Sequence, residues 1–186
     1  MENFDKDKIE LYVNGIKMEF QDYIYAIKKG TYDIKLIFKM DIKNCFEMFR
    51  MCHNIIEINL SCFDTSKVTN MGYMFSNNDK LKKINLENID TKNVTDMESM
   101  FRECFKLKKL NVSSFNTKKV KKMESMFAYT GLKYLDLSSF DFIENCTITN
   151  IIGGSPLKLI KMKKNNDIEK ELFNYIKHYN GKIISV

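Results

Sequence analysis

Two histidines and five cysteines are the side chains best suited to acid–base, nucleophilic or metal chemistry in this chain. His53 and His178 lie far apart in sequence, and neither has a Cys, Ser or carboxylate at a recognisable motif spacing. The pair Gly153-Gly154 is isolated and does not form a phosphate-binding loop pattern. We therefore predict that the protein is not an enzyme, and we expect no cofactor and no metal site.

The cysteines indicate free thiols. Their number is odd and no CxxC pair occurs, which favours a reducing compartment over a disulfide framework. Redox sensing is the functional alternative, but Cys45 and Cys104 fall at positions that we expect to face the core. The N-terminal sequence lacks the basic start and apolar run of a signal peptide, and no stretch approaches a membrane span of ~20 apolar residues. We expect a cytoplasmic or other intracellular protein, the alternative being the cell surface after non-standard export.

Lysines supply the remaining candidate site. The formal net charge is +6, and a segment of the form L-x-x-L-x-L recurs along the chain. The x positions of a strand there would project outward, and stacked copies would align them in columns. The columns carry these predicted partner-binding residues: Lys82, Lys83, Asn85, Lys108, Lys109, Asn111, Lys133, Tyr134, Asp136, Lys158 and Lys161.

A basic stripe of this kind predicts a protein partner with an acidic surface. The alternative is that the lysines only keep the surface soluble. Nucleic acid is disfavoured because Arg is scarce and no aromatic residues are interleaved with the lysines as stacking platforms. The oligomeric state is left open by the sequence.

The elements that would position these lysines follow from an internal repeat. Thr65, Thr91 and Thr117 recur at one constant spacing, and Val68, Met71 and the pair Met74-Phe75 recur at the same step. A period of about 26 residues is typical of stacked repeat architectures. A degenerate copy begins near Ile42, and the fourth and fifth copies follow at a slightly shorter spacing.

Each unit has two halves. The first, T-x-x-V-x-x-M-x-x-M-F, has apolar residues at i, i+3, i+6 and i+7, which predicts a short helix with the Thr as N-cap. The second half predicts a short strand, with Ile84, Leu110 and Leu135 buried. We therefore predict an α/β leucine-rich-repeat solenoid over residues 39–165, with about five units that are each roughly 25 to 26 residues long.

The two ends have different patterns. In residues 1–38, Asn14-Gly15 separates two alternating runs, which predicts a hairpin. A second pair of runs meets at Lys28-Lys29-Gly30, so we expect a four-stranded antiparallel sheet that covers one end of the repeats. In residues 166–186, Ile168, Leu172 and Ile176 predict an amphipathic helix with Asp167 as N-cap, Gly181 at its end and an extended piece after it. The whole is expected to form one continuous domain.

Repeats of the form D/N-T-x-x-V-x-x-M-x-x-M-F-x-x-C-x-x-L-x-x-L-x-L-S-x-F resemble the BspA-like leucine-rich repeat family over about residues 39–163. That family occurs in bacterial surface proteins, mycoplasma lipoproteins and protist proteins. Its Cys is present as Cys52 and Cys104 and replaced by Asn78. The resemblance implies a leucine-rich solenoid without enzymatic activity that binds other macromolecules, often as an adhesin. Two functions therefore stand side by side, an intracellular protein-binding or scaffold module and a surface adhesin or host-interaction protein.

Overall fold

A computed structural model describes residues 5–20 and 30–186 of the chain. The chain divides into two compact units, Met1–Ile42 and Lys43–Val186. Its order of elements is β1 (Ile9–Val13), β2 (Ile16–Met18), β3 (Ile34–Phe38), β4 (Glu57–Asn59), β5 (Lys83–Asn85), β6 (Tyr134–Leu137), β7 (Leu159–Met162), α1 (Asn166–Ile176) and β8 (Lys182–Ser185), with short 3-10 turns at Lys6–Lys8 and Lys177–Tyr179.

The first unit contains an antiparallel sheet in the order β2-β1-β3. The hairpin predicted at Asn14-Gly15 is confirmed, since both residues have positive φ, 50° and 80°. This backbone geometry is the one that a two-residue type I′ turn requires. The strands predicted around Tyr23, Tyr25 and Ile27 lie outside the described residues.

The segments predicted as helices in the second unit are turns. The chain visits the left-handed region at two positions of each segment, for example at Tyr73 and Asn77 with φ of 56° and 60°. A right-handed helix cannot continue through such residues. Alternate backbone N–H groups donate instead to carbonyls of the next copy, as in Tyr73 N to Glu98 O at 2.8 Å and Phe75 N to Met100 O at 2.9 Å.

The buried threonines belong to the same contacts between successive copies and are not helix caps. Thr65 Oγ1 donates to Asp90 O at 2.9 Å and accepts the Asp90 N–H at 2.9 Å. Thr91 and Thr117 make the same pair of bonds with Asn116 and Asp141. Each hydroxyl thus pairs with one backbone donor and one backbone acceptor of the next copy.

The predicted continuous sheet is divided. Strands β4 and β5 pair in parallel, and β6, β7 and β8 form a separate sheet of parallel strands. Residues 107–112, which carry the third predicted strand, lie outside any strand. Leu135 is fully buried as expected, but Ile84 and Leu110 are only half-buried.

The prediction of an α/β leucine-rich-repeat solenoid is therefore wrong. The described chain has three small sheets and a single α-helix, and it is mostly β and irregular in class. The spacing of apolar residues shows which side chains are buried but not which backbone conformation buries them. A turn segment with left-handed residues buries the same positions as one face of a helix would, so the pattern did not distinguish the two.

The core of the second unit is a column of aromatic rings. Phe49, Phe75, Phe101 and Phe127 stack with centroids 5.5–5.8 Å apart and nearly parallel planes. Met74, Met100 and Met126 lie beside them and are 0–1% exposed. Offset stacking adds to the hydrophobic stabilisation that each ring gains by burial.

Helix α1 connects β7 to β8, which is the crossover that two parallel neighbouring strands require. Its N-cap is Asn165 and not Asp167, because the Asn165 side chain accepts the Ile168 N–H at 3.2 Å. Leu172 and Ile176 are buried, as predicted. The helical segment ends at Asn180, whose φ is 54°, rather than at Gly181. The extended piece predicted after it is strand β8.

Candidate functional site: a lysine-bearing face

The eleven predicted site residues are distributed over four segments. Strand β5 and its flank hold Lys82, Lys83 and Asn85; β6, β7 and their flanks hold Lys133, Tyr134, Asp136, Lys158 and Lys161; and Lys108, Lys109 and Asn111 lie on the segment outside any strand. The registers Lys83 with Glu57, Tyr134 with Leu159 and Asp136 with Lys161 agree with the predicted columns. The columns are interrupted at the third copy.

Three of the predicted binding residues have local structural tasks. The side-chain oxygens of Asn85, Asn111 and Asp136 each accept the backbone N–H two residues further on, at 2.9–3.0 Å. These Asx turns end the strand segments and leave one fewer acceptor for a ligand. We infer that this column shapes the loops beside the lysines.

Acidic neighbours partly neutralise two of the lysines. Lys83 Nζ lies 2.8 Å from Glu57 Oε1, and Lys161 Nζ lies 3.4 Å from Asp136 Oδ2. Burial alone would raise the pKa of Asp136, but hydrogen bonds from Ser138 and Tyr134, together with Lys161, bring that pKa below its usual value. Tyr134 donates to Asp136 at 3.1 Å and is 47% exposed.

Lys133, Lys158 and Lys182 lie on neighbouring segments at or just before the start of β6, β7 and β8. The Lys158 N–H donates to Lys133 O and the Lys182 N–H to Lys158 O, both at 2.9 Å, so the three lie on successive backbone segments. All three side chains are exposed, and within the described ranges none has an ion-pair partner. We call these three residues the lysine cluster.

Lys182 was missed by the sequence analysis. It aligns with Leu159 across β7 and β8, but the step along the chain from Leu159 to Lys182 is shorter than the repeat period. The chain reaches β8 through α1, so the repeat period could not place it. The only available signal was the predicted extended piece at residues 182–186.

Lys108 of the third copy lies against Gly131 of the fourth copy. A Cβ built on Gly131 would lie 3.0 Å from Lys108 Nζ and only 2.4 Å from Phe105 O. The absence of a side chain at Gly131 therefore allows the fourth copy to pack directly on the third. The Lys108 ammonium therefore lies beside Gly131, which precedes Lys133 by two positions.

Outside this face, His53 takes part in a contact between two repeat copies. His53 Nδ1 lies 2.9 Å from Asp79 Oδ1, and that contact holds the pKa of Asp79 below its usual value. Both side chains are about half exposed, and the pair joins the bends of the first two copies. Among the described residues no group of His, Cys, Asp or Glu is arranged to hold a metal ion.

None of the five cysteines forms a disulfide bond. Cys45 and Cys104 are fully buried, as predicted, and Cys104 Sγ donates to Phe75 O at 3.2 Å. Burial raises the pKa of Cys104 to about 12 and, with a contribution from Glu124, that of Cys146 to about 11. These thiols are protonated at neutral pH and are poorly placed to react with oxidants.

We expect iodoacetamide at neutral pH to alkylate exposed Cys62 first and to spare Cys45 and Cys104 until the chain unfolds. Burial denies the reagent access to both thiols, and the raised pKa of Cys104 also keeps that thiol protonated. Peptide mapping by mass spectrometry over a time course, with and without denaturant, gives the order. Labelling of Cys104 in the folded protein at the rate of Cys62 would contradict it.

No helix in the described part of the chain is long and apolar enough to cross a membrane. The successive copies, joined by backbone hydrogen bonds between equivalent positions, define a repeat-containing protein.

The chain belongs to the family described as "Mycoplasma protein of unknown function, DUF285", whose model matches residues 40–165. No curated protein matches the chain. No solved structure matches it.

Proposed function

We propose that this protein is a non-catalytic protein-binding module, one subunit of a larger assembly, that recognises an acidic protein surface. The observation that carries the proposal is the lysine cluster, three exposed lysines on successive hydrogen-bonded backbone segments that have no ion-pair partner among the described residues. Like charges on adjacent segments repel one another, so an acidic partner would gain from neutralising them. Exposed Tyr134 beside the cluster offers the aromatic contact area that interfaces favour.

Salt dependence tests this proposal. We expect capture of the partner from native cells to weaken when the ionic strength rises from ~0.1 M to ~1 M, because the Debye length falls from about 10 Å to about 3 Å. Tagged protein, washes of increasing salt and quantitative mass spectrometry of the retained proteins give the measurement. A partner retained equally at all salt concentrations would contradict an electrostatic interface.

The resemblance to BspA-like repeat proteins supports a second candidate, a surface adhesin or host-interaction protein. The motif that carries the resemblance spans nearly the same residues as the family match, about 39–163 against 40–165. The first proposal places the protein inside the cell and the second places it on the surface.

Protease treatment of intact cells separates the two candidates. We expect the protein to survive the treatment and to be digested only after lysis, because the membrane would shield an intracellular module. Immunoblotting before and after lysis gives the result. Digestion on intact cells would favour the adhesin and exclude the intracellular scaffold.

A further inference from the structure

Strand β8 leaves a row of backbone groups open at the edge of its sheet. Among the described residues the sheet order is β6-β7-β8, so within residues 5–20 and 30–186 β8 pairs with a strand on one side only. Lys182 N donates to Lys158 O and Val186 N to Met162 O, which shows that the even-numbered residues face β7. In a parallel ladder the residues between them point the other way. The N–H and C=O of Ile183 and Ser185 are therefore directed outward.

A groove lies between α1 and the start of β8. It is lined by Glu169, Lys170 and Phe173 of α1 and by Gly181, Lys182 and Ile183. Phe173 is 50% exposed although it lies on a helix whose Leu172 and Ile176 are buried. An added strand would thus find hydrogen-bonding groups on one side and an aromatic surface beneath it.

The lysines at this edge favour an added strand with acidic side chains. Lys182 stands on the solvent-facing side of β8, in register with Leu159 and next to the rest of the lysine cluster. Lys170 lines the groove from the helix, and Glu169 is already engaged by the Ser185 hydroxyl at 2.7 Å. Opposite charges on neighbouring strands stabilise pairing, whereas like charges disfavour it.

We propose that the partner contributes an extended acidic segment that pairs with β8 as a fourth strand, with its acidic side chains beside Lys182 and its apolar side chains on Phe173. This inference rests on the proposed function and names its mode of binding, strand addition at a sheet edge. Successive side chains of a strand point to opposite faces. The segment that fits best therefore alternates acidic and apolar residues.

A short synthetic peptide, with alternating glutamate and valine, tests the inference by titration against the full chain. We expect saturable binding, and we expect a lysine–valine peptide of the same pattern to bind at least about tenfold more weakly. N-methylation of every second peptide bond removes the donors on one edge of the peptide only. Methylation of the peptide bonds whose N–H groups point toward β8 should weaken binding about tenfold or more. Methylation of the other set of alternate peptide bonds should not.

The Ile183→Pro variant removes one outward N–H from β8 and should weaken peptide binding by a similar factor. Its melting temperature shows whether it folds, and the methylated peptides test the same contact on the unaltered protein. Absence of binding by the glutamate–valine peptide, or equal effects of the two sets of methylations, would overturn the inference. Undiminished capture of the cellular partner by folded Ile183→Pro, with loss of capture on reversal of the lysine cluster, would overturn strand addition and leave the proposed function standing.

Discussion

Replacing Phe101 with alanine is expected to lower the free energy of unfolding by about 3–5 kcal/mol. The ring is fully buried and stacks on Phe75 at 5.5 Å and on Phe127 at 5.8 Å. Its removal leaves a cavity between two copies, and both neighbouring rings lose a partner. Urea denaturation followed by circular dichroism measures the change.

Phe105→Ala is the matched control. It removes the same side chain from a nearby position in the same copy, but Phe105 is 48% exposed. A change at an exposed site is expected to stay within about 0.5 kcal/mol. If the two variants lost equal stability, the stacked rings would not be the core of the second unit.

Reversal of the lysine cluster, Lys133, Lys158 and Lys182 to Glu, is expected to reduce capture of the partner at least about tenfold. The change replaces three attractive charges with three repulsive ones at the proposed contact surface. The melting temperature should fall little, since exposed charges contribute about 0–1 kcal/mol to folding. Quantitative mass spectrometry of captured proteins gives the comparison with the unaltered chain.

A control with the same change in net charge is Lys106, Lys118 and Lys121 to Glu. These lysines are exposed in bends and turn segments outside the sheets. Capture should survive this reversal, which separates a local contact from a general effect of net charge. Loss of capture in the control and retention in the cluster variant would place the contact on the turn segments instead.

The sequence predicted burial better than it predicted backbone conformation. Val68, Met71 and Phe75 were placed correctly in the core because hydrophobic spacing reports exclusion from water. The helices predicted from the same residues were wrong, since Tyr73 and Ser99 adopt positive φ that no propensity rule assigns to Tyr or Ser. In these turn segments, backbone hydrogen bonds between successive copies outweighed the local preference of the residues for a helix.

The lysine columns were predictable only where strands pair in register. Lys83 and Lys161 occupy the expected places because β5 and β7 keep the repeat spacing. Lys182 belongs to the same surface through a crossover that breaks the period, so that no count along the chain could find it. The local role of Asn85 was also hidden, because an Asx turn depends on where the strand ends.

Cross-linking of the captured complex with a carbodiimide tests the proposed binding surface most directly. This reagent joins an ammonium to a carboxylate only when the two are in contact, and mass spectrometry identifies both residues. We predict links from Lys133, Lys158 or Lys182 to Asp or Glu side chains of the partner. Links confined to Lys118, Lys121 and Lys122 on the turn segments would contradict the proposal that the lysine cluster is the binding surface.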